Sequence, residues 1–149
     1  MRVFLKYWLP VLVWMVVIFS ASADSHSYQH SSSIVLPILH WLFPHMADSE
    51  IDAVHHFLRK CCHPAEYAIL GLLLFRALNH SRNKLPPWSW PRICGALLII
   101  FLYASSDEFH QRFVPTRTSR FSDVLIDTAG GSIGLFIAWV YYRCRKPKQ

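Results

Sequence analysis

Asp107, Glu108, His110 and Gln111 form the group of residues best suited to chemistry in this sequence. On a helix, Asp107, His110 and Gln111 would share one face, because residues three and four positions apart are neighbours. The adjacent carboxylates of Asp107 and Glu108 repel each other, and His110 could compensate their charge or shuttle a proton. Asp107, Glu108 and His110 are therefore candidate catalytic residues. The alternative interpretation is a set of solvated charges at a helix end.

A second group consists of Lys60, His63, Glu66 and Tyr67. Lys60, His63 and Tyr67 recur at spacings of three and four, which places them on one helical face, and Glu66 can reach the same side. This pattern is typical of a ligand site. It also fits an interfacial stripe in which Lys60 extends to lipid head groups.

The third group is Arg117, Asp123 and Asp127. Asp127 lies inside an apolar block, where an unpaired carboxylate would cost about 2.5–3.5 kcal/mol. We therefore expect Asp127 to face the protein interior, with Arg117 or Lys60 as its partner, in a structural ion pair or a ligand site. The complete predicted ligand-binding set is Lys60, His63, Glu66, Tyr67, Gln111, Arg117, Asp123 and Asp127.

Possible metal ligands also occur in the sequence, at Asp52, His55, His56, Cys61 and Cys62. Their spacing forms no closed zinc pattern, and adjacent cysteines could form only a strained disulfide. No glycine-rich phosphate loop or dinucleotide motif is present. The sequence thus predicts no metal and no cofactor.

These polar groups are embedded in a strongly apolar chain, in which 53% of the 149 residues are hydrophobic. Because about 20 apolar residues cross a bilayer, and tilted spans can be shorter, we predict four membrane spans. They cover residues 7–22, 64–79, 92–107 and 123–142. The predicted fold is all-α, a single domain over residues 1–149 that forms an integral membrane bundle. The net charge of +6 does not indicate nucleic-acid binding, since the basic residues flank the apolar blocks.

The segment between the first two spans, residues 23–60, is predicted to lie on the outer side. Within it, residues 34–43 are apolar but too short to cross, and Pro37 interrupts them, which favours an interfacial or re-entrant segment. Ser49 and Asp52 have the spacing of a capping box, which predicts the start of a helix that continues past Pro64.

Charge distribution predicts the orientation. Most basic residues flank the apolar blocks at the ends that become cytoplasmic if both termini are cytoplasmic. All nine acidic residues, and every histidine except His80, then fall toward the outer side. We therefore expect a multi-pass protein of the cell membrane with its polar chemistry outside.

The first span has a second interpretation. Arg2, a short apolar stretch, and the small residues Ala21, Ser22 and Ala23 imitate a secretory signal with a cleavage site. Cleavage would leave three spans in the same orientation, whereas a retained first helix gives the four that we predict. In the last span, Gly130 and Gly134 form a GxxxG pattern that favours close helix packing, within the chain or with a partner protein.

The motifs resemble those of the VanZ-like family, named for a protein that confers resistance to the lipoglycopeptide teicoplanin. The resemblance rests on three blocks: Lys60-x-x-His63-x-x-Glu66-Tyr67-Ala68-Ile69-Leu70-Gly71, Asp107-Glu108-x-His110-Gln111-x-Phe113-Val114-Pro115, and Arg117 with Ser122-Asp123-Val124-Leu125-Ile126-Asp127. The Ser-containing end of the first helix, Phe19 to Ser22, is similar more loosely. Thr116 stands where the family usually has glycine. The resemblance implies a membrane location and, in the name-giving member, a link to antibiotic resistance.

Three functions follow as hypotheses. The protein could bind or handle an amphiphilic cell-envelope molecule, such as a membrane lipid or lipid-linked precursor, with Lys60 and Arg117 at its head group. It could instead be an outer-leaflet enzyme that uses Asp107, Glu108 and His110 for acid–base chemistry. The third hypothesis is a structural partner of a larger membrane complex.

Overall fold

The computed structural model describes residues 2–23, 27–80, 89–113 and 120–145. Within these ranges the regular structure is entirely helical, which confirms the predicted fold class. The helices are α1 (Arg2–Ala23), α2 (Ser27–Leu42), α3 (Asp48–His80), α4 (Trp90–Gln111) and α5 (Phe121–Arg145). Helices α1, α3, α4 and α5 are long and apolar enough to cross a membrane, and each contains one predicted span. The cytoplasmic location of both termini stays a prediction.

Helix α2 contains nearly all of the apolar segment 34–43, and Pro37 lies inside this helix. Its apolar part, Ser32–Leu42, is too short to cross a bilayer. Leu39 is buried, and α2 packs against α3. Whether this helix is interfacial or re-entrant stays a prediction.

Helix α3 is the longest element, with 33 residues. At 1.5 Å per residue it is roughly 50 Å long, whereas the hydrocarbon core is about 30 Å thick, so one end must project beyond that core.

The helix continues through Pro64, as predicted. It begins at Asp48, earlier than the predicted capping box at Ser49 and Asp52. The reason is that Glu50 reaches back to accept a hydrogen bond from the Ala47 N–H, at 3.2 Å.

The interface between α3 and α5 depends on glycine. A Cβ atom on Gly134 would lie 1.9 Å from the carbonyl oxygen of Ala68, and one on Gly71 would lie 2.2 Å from that of Gly131. Gly130 packs equally closely against the backbone of Pro64. The predicted close packing of Gly130 and Gly134 is therefore confirmed, and the helix they contact is α3 of the same chain. A partner protein bound through these glycines stays a prediction.

The apolar interior is thin and is built mainly on α3. Tyr67, Leu70 and Leu74 are fully buried there, together with Ile100 of α4. Many large apolar side chains point outward instead, among them Leu98, Leu102, Val16, Phe136 and Ile137. This distribution is the one expected for helices that face lipid, because lipid tails are as apolar as the side chains that contact them.

Candidate functional site

One face of α4 changes from apolar to polar at its last two turns. Ala96, Ile100 and Ala104 form the buried apolar part of this face, and Asp107 and Gln111 continue it toward the end of the helix. The rotation of α4 about its axis that buries the apolar residues therefore also buries the polar residues. Asp107 is 0% exposed, Glu108 5% and Gln111 5%.

Asp107 is held by donors from two helices. The Ser22 hydroxyl at the end of α1 donates to Asp107 Oδ2 at 2.8 Å. The Gln111 side chain, one turn further along α4, donates Nε2 to the same oxygen at 3.2 Å. Hydrogen bonds to an ionised acceptor are stronger than neutral ones, so this arrangement would stabilise the carboxylate and join α1 to α4.

Ser22 was not predicted as a site residue. Its one signal in the sequence was its place in the Ser-containing end of the first helix. A serine at the end of a helix indicates no particular function, and only its contact with a buried carboxylate identifies Ser22 as part of the site. Two further hydrogen bonds between described residues join α1 to the bundle. Trp14 Nε1 donates to the carbonyl oxygen of Glu66 at 2.9 Å, and Tyr103 donates its hydroxyl hydrogen to the carbonyl oxygen of Met15.

Glu108 joins α4 to the start of α5. Its Oε2 accepts a hydrogen bond from the backbone N–H of Arg120 at 3.0 Å. Arg120 immediately precedes α5, so this buried carboxylate fixes where that helix begins. Arg117, which was predicted to face the same cluster, lies outside the described residues.

Asp127, on α5, is the third buried carboxylate at this end of the bundle, with 3% exposure. It interacts electrostatically with Asp107, Glu108 and Glu66, which places acidic groups from three helices near one another. The predicted ion pair with Lys60 does not form within the described residues, because Lys60 is exposed on α3. Asp123 lies one turn earlier, is half-buried, and accepts a hydrogen bond from the Ser122 hydroxyl at 3.2 Å.

Helix α3 contributes Tyr67, whose side chain is 0% exposed. Tyr67 interacts electrostatically with Asp107 and Asp127, and its ring centroid lies 6.1 Å from that of Tyr103. Its hydroxyl has no hydrogen-bond partner among the described residues. Because buried hydroxyl groups normally make such a bond, this one is a candidate to bind a ligand.

The remaining predicted residues lie around this cluster. His63 Nδ1 is 3.8 Å from Glu66 Oε2, one turn before Tyr67. The His110 ring contacts Phe19 of α1, with ring centroids 4.6 Å apart, and is half-buried. His110 thus lies at the edge of the face that Asp107 and Gln111 share, and Glu108 occupies the buried position beside them.

The hydrogen-bonding groups of the cluster are carboxyl groups and one tyrosine hydroxyl. Ionised carboxylates only accept hydrogen bonds, and a tyrosine hydroxyl can donate or accept. Among the described residues, no three His, Cys, Asp or Glu side chains are arranged to hold a metal ion. Asp107, Glu108, Asp127 and Tyr67, which we call the carboxylate cluster, therefore suit a ligand that presents O–H or N–H donors.

A bundle of four apolar helices, with buried carboxylates from α4 and α5 at one end, defines a multi-pass membrane protein. The family model for VanZ/LLP1 matches residues 7–142. The chain therefore belongs to the VanZ/LLP1 family, as its motifs predicted. No curated protein and no solved structure shows a significant match to it.

Proposed function

We propose that the protein binds an amphiphilic cell-envelope molecule, with the polar head group at the carboxylate cluster. The observation that carries this proposal is the burial of Asp107, Glu108 and Asp127 at one end of the bundle, where Tyr67 interacts electrostatically with Asp107 and Asp127. Ionisable residues at membrane depth are costly and tend to be functional, particularly where several face one another. A ligand that supplies hydrogen-bond donors would offset that cost.

The acidic side chains of the carboxylate cluster favour some lipid head groups over others. A bare phosphate would add negative charge beside three acidic residues, whereas sugar hydroxyls and amines donate hydrogen bonds to carboxylate oxygens. A lipid-linked sugar precursor or a lipoglycopeptide offers such donors on an apolar anchor. Lys60 is exposed on the same helix as Tyr67 and would meet a phosphate at the rim of the site. Arg117, which lies outside the described residues, is the second basic residue proposed to bind that phosphate.

The location follows from the predicted orientation. With both termini in the cytoplasm, the carboxylate cluster lies at the outer leaflet of the cell membrane. The apolar outer surfaces of α4 and α5 would then accommodate an acyl chain beside the head group. This orientation is part of the proposal.

The test is the set of envelope lipids that co-purify with the protein in mild detergent, measured by mass spectrometry. Wild type is compared with Asp127→Asn and Glu108→Gln, which keep side-chain size and remove charge. Asp52→Asn is the matched control, because Asp52 is exposed on α3. We expect one lipid species to be retained by wild type and the control and reduced about tenfold in the other two variants, since a hydrogen bond to a charged group is lost. Equal retention by all four proteins would reject the proposal.

A second function, acid–base catalysis on an outer-leaflet lipid, is favoured by one observation. A carboxyl group and an imidazole, Glu108 and His110, occur within one turn of α4, and His110 is half-buried, so both kinds of proton-transfer group are present at this end of the bundle. Catalysis would convert a lipid, whereas binding would only retain it. The discriminating measurement is the envelope-lipid profile of cells that lack the protein and are complemented with wild type or Glu108→Gln. A species altered by wild type alone supports catalysis, and full activity of both Glu108→Gln and Asp107→Asn rejects it.

A link to glycopeptide tolerance is proposed from the family resemblance alone. If the protein protects or removes the molecule that teicoplanin binds, or binds teicoplanin itself, its loss should increase sensitivity to that drug. Growth inhibition by teicoplanin, compared between cells with and without the protein, tests this link. Equal sensitivity of the two cell types to teicoplanin would reject the link to glycopeptide tolerance and would not affect the proposal of lipid binding.

A further inference from the structure

A cavity of about 560 Å³ lies between α1, α3 and α5, at the end of the bundle away from the carboxylate cluster. Its apolar wall includes Leu72, Phe75 and Ile137, and its polar rim includes Tyr7, Arg76 and His80. Ile137 is 51% exposed on α5, so the cavity reaches the lipid-facing side of the bundle. The size is within the usual range for a small-molecule site.

Three basic side chains gather around Tyr7. The Tyr7 ring is stacked on that of His80, with centroids 3.7 Å apart. The guanidinium carbon of Arg76 lies 5.3 Å from the Tyr7 ring centroid, and Lys6 Nζ lies 5.4 Å from it. Cation–π contacts of this kind hold basic groups in place without a carboxylate partner. Arg76 therefore gives the rim of the cavity a positive charge beside Tyr7, and Lys6 adds a second charge close by.

The sequence keeps acidic residues away from these basic residues. No Asp or Glu occurs in residues 1–23, 67–106 or 128–149. Every helix end that meets at the cavity belongs to one of these ranges. An anion at the rim would therefore meet Arg76 and His80, with Lys6 close by, without competition from an Asp or Glu side chain in these ranges.

We infer that this cavity binds an anionic phospholipid from the adjacent leaflet. The phosphate would contact Arg76 and His80, with Lys6 close by beside Tyr7, and an acyl chain would lie along Phe75 and Ile137. Basic pockets between membrane helices are suited to such head groups, because they combine attraction to the phosphate with apolar walls for the chain. A neutral lipid would fit the walls but gain nothing from the net positive charge of the rim. The site is independent of the carboxylate cluster and of the proposed function.

The experiment uses the full-length protein in detergent. Phosphatidylglycerol and phosphatidylcholine with identical acyl chains are added separately, and bound lipid is counted by native mass spectrometry. Inorganic phosphate alone is the third addition, with thermal stability as the readout. The variants are Arg76→Gln, Arg76→Lys, Ile137→Trp and Arg143→Gln. Arg143 is the matched control, since it lies at the same end of the bundle but its guanidinium packs over Trp139, outside the cavity.

We expect wild type to bind phosphatidylglycerol in preference to phosphatidylcholine. Arg76→Gln should weaken this binding about fivefold, because one basic residue near a membrane surface contributes about that factor. Arg76→Lys should restore most of it, and Arg143→Gln should leave it unchanged. Ile137→Trp, which narrows the cavity without changing charge, should also weaken it.

Three results would overturn the inference. Equal binding of phosphatidylglycerol and phosphatidylcholine would show that the charge of the head group does not contribute to binding. An equal loss in Arg143→Gln and Arg76→Gln would indicate diffuse attraction to a basic surface instead of a site. Stabilisation by inorganic phosphate as large as that by phosphatidylglycerol would indicate a phosphate site that does not need the lipid. Recovery of binding in Arg76→Lys guards against the possibility that Arg76→Gln is simply misfolded.

Discussion

Ser22 on α1 donates a hydrogen bond to Asp107 on α4 across 2.8 Å, and both side chains are 0% exposed. The two residues are 85 positions apart in the chain. Their contact joins α1 to the polar end of α4. The Gln111 side chain donates a second hydrogen bond to the same carboxylate oxygen. Asp107 is thereby held in a fixed orientation beside the other buried acids.

Ser22→Ala should therefore destabilise the protein by roughly 1–2 kcal/mol, because it leaves a buried carboxylate with one donor fewer. Ser20→Ala is the control, since Ser20 is exposed and its hydroxyl donates only to Val16 of its own helix. Reversible unfolding in detergent measures both free energies. If the two serine variants were equally stable, the Ser22–Asp107 bond would contribute nothing.

Gly134→Ala should prevent normal folding, with a loss of about 3 kcal/mol or more, because overpacking at a backbone contact forces the helices apart. The new Cβ would lie 1.9 Å from the Ala68 carbonyl oxygen. Gly95→Ala makes the same chemical change on α4, where nothing lies within 4 Å. That control should be neutral or more stable by about 0.5–1 kcal/mol, as alanine favours helix. The yield of monodisperse protein and its unfolding free energy distinguish the two, and normal folding of Gly134→Ala would contradict the α3–α5 interface described above.

Tyr67→Phe should separate function from stability. Because the Tyr67 hydroxyl has no hydrogen-bond partner among the described residues, its removal should change the unfolding free energy by less than about 0.5 kcal/mol. Tyr103→Phe removes a hydroxyl that donates to Met15, so it should cost about 1 kcal/mol. In lipid co-purification, Tyr67→Phe should lose the bound species. A Tyr67→Phe protein that is clearly less stable than Tyr103→Phe would show that the hydroxyl has a structural role instead.

The first helix should remain in the mature protein. Removal of residues up to Ala23 would delete Ser22 and Trp14, which donate to Asp107 and to the carbonyl of Glu66. The intact mass of protein purified from membranes tests this expectation directly. A mass that corresponds to a chain starting at Asp24 would show that the segment is a cleaved signal and that the bundle has three spans.

Cysteine labelling should reveal the orientation. Cys61 on α3 and Cys144 on α5 are both free and exposed, at opposite ends of the bundle. In intact cells, a membrane-impermeant thiol reagent should label a variant that keeps only Cys61 and should not label one that keeps only Cys144. Lysed cells provide the control, because both variants should then react. The reverse pattern would place the carboxylate cluster on the cytoplasmic side.

The sequence by itself determined the number of membrane-spanning helices and their approximate positions. Long apolar blocks have one stable arrangement in a bilayer, because every backbone polar group must be paired within the segment. The sequence also determined that α3 continues through Pro64 and that the acids gather at one end. These are properties of hydropathy and position along the chain, so no knowledge of packing was needed. The start of α3 was missed slightly because Glu50, rather than Asp52, reaches back to the first free N–H.

The tertiary structure alone decided which polar residues meet. Asp127 lies near Asp107 and Glu66, whereas Lys60 is exposed and the His110 ring contacts Phe19. Each outcome depends on how far a helix is rotated about its axis, and that rotation is set by contacts such as Gly134 against Ala68. If α4 were rotated about its axis by the angle between successive residues, a neighbour of Asp107 would face the interior in its place. The periodicity of one helix cannot exclude that arrangement. The partnership of Ser22 with Asp107 exists only because two helices distant in sequence are packed in one register.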